Sequence, residues 1–116
     1  MQFDVEIVLR ERDYAVTERL EYATEPEAWR EPDVEAVLKQ ILLAIDRAGN
    51  PAAGPRFVAL RGFSWIVEPM GEQVVIAIEI PMGAAVAGPF AIDQRHLDTM
   101  IRRVIAASAR PAPTVH

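Results

Sequence analysis

Residues 2–10, QFDVEIVLR, alternate without a break: Phe3, Val5, Ile7 and Leu9 fall on one side, Gln2, Asp4, Glu6 and Arg10 on the other. A run of that period is a strand with one buried and one wet face. The rest of the chain must therefore supply strands to pair with it and apolar residues to cover it. After a charged turn around Glu11–Asp13, YAVTERLEY keeps the alternation with Tyr14, Val16, Leu20 and Tyr22, which predicts an antiparallel hairpin.

ATEPEAWRE breaks the pattern and leads into a helix. Pro32 suits the first helical position, and Asp33 and Glu35 put negative charge in the first turn. Val34, Val37, Leu38, Ile41, Ala44, Ile45 and Ala48 form one stripe at helical spacing, with Leu43 opposite, and Gly49-Asn50-Pro51 is a stop signal.

RFVALRGFSWIVE is strand-like but changes phase. Val58 and Leu60 come into step with Phe63, Trp65 and Val67 if a bulge is placed at Arg61–Gly62. EPMGEQ predicts a tight turn using Pro69 and Gly71. VVIAIEI is apolar on most of both faces, so it predicts a central strand. PMGAAVAGPFA reads as an apolar loop of small residues. It leads to a last helix with its stripe on Leu97, Ile101, Val104 and Ile105 and with Met100 on the flank.

The start of that helix holds His96, the one histidine away from the C-terminus, between Asp93 and Asp98. An acid–base site and a helix start compete for these residues. Asp93 sits where a cap belongs, Ile92 and Leu97 have the spacing of a hydrophobic staple, and Asp98 and Arg102 are spaced as an i,i+4 pair. Helix initiation is the preferred reading. A protonated His96 would oppose the helix dipole, and a carboxylate engaged by backbone is poorly placed to orient an imidazole.

The expected fold is α+β: a two-layer sandwich with a four-stranded antiparallel sheet and two helices on one face, in the order ββαββα. A shift of sixty positions brings Phe3 onto Phe63, Asp33 onto Asp93, Ile41 onto Ile101, Ile45 onto Ile105 and Pro51 onto Pro111, which suggests a ββα duplication. The length predicts a single domain over 1–108 followed by a disordered tail over 109–116.

Several kinds of chemistry are disfavoured. The chain has no cysteine, which removes thiolate, disulfide and cysteine-based metal chemistry. Twelve basic against seventeen acidic residues give a net charge of -5, a sign that repels phosphate backbones, so no nucleic-acid partner is expected. With His96 and His116 the only histidines, no metal or other cofactor is expected. The acidic run Glu25, Glu27, Glu31, Asp33 and Glu35 lacks the glycine turn of a calcium loop. The alternation at the N-terminus is unlike a secretory leader, and no apolar run is long enough to cross a bilayer. A cytoplasmic address without a membrane partner is therefore expected.

Two function classes remain. The leading one is a non-enzymatic domain acting through protein association, as a homodimer or with another partner. It rests on a half-apolar outer sheet face formed by Val8, Ala15, Thr17, Ile66, Val75 and Ala77. The alternative is a small-molecule-binding protein or modest enzyme using an apolar pocket between loops 23–31 and 81–92. Trp29, Met82, Val86 and Phe90 would line that pocket, and Glu18 or His96 would supply the polar group. Glu18 falls at an inward position of its strand, where an edge-strand charge that discourages aggregation is preferred to a buried base.

Overall fold

The N-terminal alternation forms β1 (Gln2–Leu9), which turns through residues 10–14 into β2 (Ala15–Glu21). A computed structural model describes residues 1–52 and 58–108 of the chain. The elements that follow are α1 (Glu31–Gly49), β3 (Ser64–Met70), β4 (Gln73–Ile80), β5 (Gly83–Phe90) and α2 (Gln94–Ser108), with a short 3-10 turn at Pro26–Ala28. The described residues thus form an α+β fold, with one antiparallel five-stranded sheet in the order β2-β1-β5-β4-β3 and two helices.

The expected four strands become five because PMGAAVAGPFA is not a loop. Its residues build β5, the middle strand, paired to β1 on one side and β4 on the other. Alanine, glycine and proline are poor strand formers by themselves. Here the open backbone edges of β1 and β4 impose the conformation, because both need a partner. Small side chains suit the position. Ala85 and Ala87 are buried on the helix-facing side, where α1 packs over β1 and β5. At Gly83 a Cβ would run into the carbonyl oxygen of Val8 across the strand pair, so the approach of β5 to β1 requires glycine there.

The fifth strand also removes the proposed duplication. Under the sixty-residue shift β1 corresponds to β3 and β2 to β4, yet β1 and β4 lie inside the sheet while β2 and β3 form its edges. Equivalent strands would occupy equivalent places, and these do not.

The bulge is displaced as well. Gly62, with φ +77°, lies in the approach to β3 and turns the chain before the strand begins at Ser64. Leu60 is buried from this irregular segment, and Phe63, Trp65 and Val67 keep the inward phase expected of them. The break in register falls between Val74 and Ile76 of β4, opposite the end of β5 where Gly88 has φ +136° and the Gly88–Pro89 peptide is cis. Gly71 (φ +63°) opens the two-residue turn between β3 and β4, as expected of a glycine-first hairpin loop. Pro69 is not in the turn but on edge strand β3, where a missing donor is tolerated.

Both helices begin, and α1 ends, where the local chemistry predicts. The Asp33 carboxylate accepts the Arg30 N–H at 2.9 Å and the Tyr22 hydroxyl at 2.7 Å, and the helix closes at Gly49 with Asn50 N–H on the Asp46 carbonyl. At α2 the Asp93 carboxylate accepts the His96 N–H at 2.9 Å, Ile92 and Leu97 are both buried, and Arg102 donates to Asp98 at 2.7 Å. One hydrophobic cluster joins the inward residues of β1, β4 and β5 with both helix stripes. The last eight residues, for which disorder was expected, lie outside the described residues. Among the described residues no helix is long and apolar enough to cross a membrane.

Candidate functional site

The residues chosen as a loop pocket do not converge on one. Trp29 is 3% exposed and Phe90 0%, and their rings pack together with centroids 5.1 Å apart. Phe3 lies 5.1 Å beyond Phe90, and Tyr22 meets Trp29 edge-on at 6.2 Å. The Trp29 indole N–H donates to the Thr24 carbonyl at 2.9 Å, so its polar end is satisfied within its own loop. This aromatic cluster closes the end of the core. Met82 stands in the turn between β4 and β5, against Gly49 at the end of α1. Val86 points from the opposite face of β5, 46% exposed.

Glu18 does point toward the helices, as its phase predicts, but from edge strand β2. It is ion-paired there with Arg47 of α1, both side chains being substantially exposed. An inward charge at an edge with a partner at the protein surface has the form of edge protection rather than of a catalytic base. His96 is exposed, and its backbone N–H, not its ring, is what Asp93 engages.

The acidic run is largely partnered. Asp33 is held by Tyr22 and Arg30, Glu35 by Lys39 at 3.2 Å, and Glu31 faces Arg103 at 3.8 Å. The Arg30 backbone N–H first, and the Tyr22 hydroxyl second, hold the Asp33 carboxyl below its ordinary range. The same bond to Asp33 raises the Tyr22 phenol. Trp65, on the helix-facing side of β3, is half-buried beneath the Arg102 guanidinium, 5.5 Å from its ring centroid.

The feature that stands out is the face of the sheet turned away from the helices. The pairing registers align Thr17, Glu6, Val86, Ala77 and Ile66 in one row across all five strands. Val8 and Ala84 pair in the adjacent row, and Val75 lies on the other side of Ala77. Val8 is 48% and Ile66 52% exposed, so Val86, Ala77 and Ile66 of the row, with Val8, Ala84 and Val75 beside them, form an apolar patch running from β1 to β3. A shallow depression of about 250 Å³ sits within it, with Ile66, Ala77, Glu79, Ala84 and Val86 among its lining residues.

Alternation alone placed Val8, Ile66, Val75 and Ala77 on this face. Val86 and Ala84 were missed as members of it because β5 has no polar face from which to read a phase. The edges of the sheet are less available than its face. Edge strand β2 carries the Glu18–Arg47 pair, while on β3 Pro69 lacks a donor and the Gln94 side chain donates to the Val67 carbonyl at 2.9 Å.

No protein-family model matches the chain, and no curated protein or solved structure is significantly similar to it.

Proposed function

We propose that this chain is a two-layer α+β sandwich acting as a non-enzymatic association module, with the outer face of its sheet as the contact surface. The observation that carries the proposal is the exposed apolar row of Val86, Ala77 and Ile66, joined by Val8, on a sheet face that neither helix covers. Contiguous apolar surface of this kind marks a site of association, and leaving it in water is unfavourable by its area. Guarded edges support the face over strand addition as the mode of contact. A second copy of the chain, giving a homodimer, and a different protein are the two ways of covering it. The address consistent with this role is the cytoplasm.

Native mass spectrometry of the purified chain tests the proposal, because it reports assembly and retained ligand together. A dimer without added mass that Val86→Asp dissociates, or a chain that gains a protein partner at this face, supports association. A defined small adduct lost on Val86→Asp would instead assign the depression on the same face to a ligand and overturn the proposal.

A further inference from the structure

We infer that the outer sheet face is built for a different polypeptide, one whose apolar ridge is bordered by lysine or arginine, rather than for a second copy of this chain. The inference rests on the association reading and adds the identity of the partner by its chemistry.

The charges around the patch carry it. Among the described residues, the carboxylates on this face are Asp4, Glu6, Glu21, Glu68 and Glu79, and its cations are Arg19 and, at the margin beyond β1, Arg10, which lines a depression together with Glu79. Arg19 is already committed, with its guanidinium on the Asp4 carboxylate at 3.0 Å and 3.4 Å. Among the described residues Glu6, Glu68 and Glu79 form no ion pair or side-chain hydrogen bond.

Their positions matter more than their number. Glu6 lies beside Val86 in the central row, and Glu79 lies beside Ala84 in the next. Glu68 flanks Val75. The three carboxylates therefore border the apolar patch on several sides, where any occupant must meet them.

A second copy laid face to face would bring a second set of the same five carboxylates into the contact against two cations, of which Arg19 is engaged on its own strand pair and Arg10 lies at the margin. Like charges brought together in a desolvated contact oppose association and exclude the wrong partner. A basic border on the partner reverses the sign, and the same three carboxylates then pair at the rim while the apolar row is buried. The width of the patch, from β1 across β5 and β4 to β3, is three strand spacings or about 14 Å, enough to seat one helix of about 10 Å diameter. The occupant we assign is an amphipathic helix with an apolar stripe and flanking lysine or arginine.

The test uses the whole chain and a fluorescein-labelled leucine–lysine amphipathic peptide, with a leucine–glutamate peptide of the same design as its counterpart, read by anisotropy. The lysine peptide binds and the glutamate peptide does not. The double variant Glu6→Gln, Glu79→Gln weakens binding about tenfold or more, whereas the charge-matched variant Glu25→Gln, Glu27→Gln on the loop before α1 leaves it unchanged.

Val86→Ser also weakens binding, which ties it to the face and not to net charge. Equal loss in both double variants would overturn the inference. A homodimer in sedimentation that Val86→Ser dissociates would also overturn it, while leaving the association reading intact. Neither peptide binding, with a monomer at all concentrations, would remove both.

Discussion

At the scale of single residues, the chemistry around His96 resolves into backbone capping. Asp93 accepts the His96 N–H, so Asp93→Ala is expected to cost about 1 kcal/mol in urea titration, with Asp93→Ser recovering most of it. Gly83 is constrained by space rather than by dihedral angle, since any side chain there meets the Val8 carbonyl. Gly83→Ala should cost about 1–3 kcal/mol, as overpacking within a rigid strand pair does. An unchanged denaturation midpoint would mean that β5 does not lie where described. Glu18 makes the opposite case. Its pair with Arg47 is well exposed, so Glu18→Ala should change stability by less than about 1 kcal/mol, which double-mutant titration with Arg47→Ala checks directly.

At the scale of elements, the hairpin β1–β2, both helices and the central place of β4 were legible because each declares its period in hydropathy. The Phe3-to-Leu9 alternation and the Val34-to-Ile45 stripe admit one reading each. β5 was not legible for the converse reason. Gly83, Ala84, Ala85, Val86 and Ala87 are small and apolar on both faces, so they carry no phase, and their strand conformation comes from the unpaired edges of β1 and β4.

Trp29 is buried, which is not legible from its neighbours. It sits in a polar segment, yet the Pro26–Ala28 turn folds it inward onto Phe90, a contact distant in sequence. The start of α1 links the two halves of this packing through Tyr22 and Asp33. The folded-state pKa of Asp33 is depressed by the Arg30 N–H and then by Tyr22, so the stability it contributes is present above the ordinary carboxylate pKa, near 4, and is lost as pH falls through the depressed value. The stability advantage of the wild type over Asp33→Asn should therefore be constant at neutral pH and close in the acid range below about 4. An advantage that grew with acidification would contradict the assigned bonds.

At the scale of the whole molecule, the sheet presents an exposed apolar patch bordered by carboxylates that form no ion pair among the described residues. Sequence alternation locates most of that patch, but not Val86 at its middle, whose segment reads in sequence as a loop. Moving this one residue from a loop to a strand changes the candidate site from a cavity to a surface. The same change leaves Trp29 and Phe90 as core residues, for which Phe90→Ala should cost about 3–5 kcal/mol by cavity formation.

The exposed face of the sheet is the proposed meeting place of this chain and its partner. Backbone amide shift mapping of the labelled chain, titrated with the leucine–lysine peptide, tests it most directly. Shifts are expected to concentrate at Glu6, Ile66, Ala77 and Val86, with the amides of the two helices unmoved. Shifts centred on either helix, or on the loop around Trp29, would contradict it.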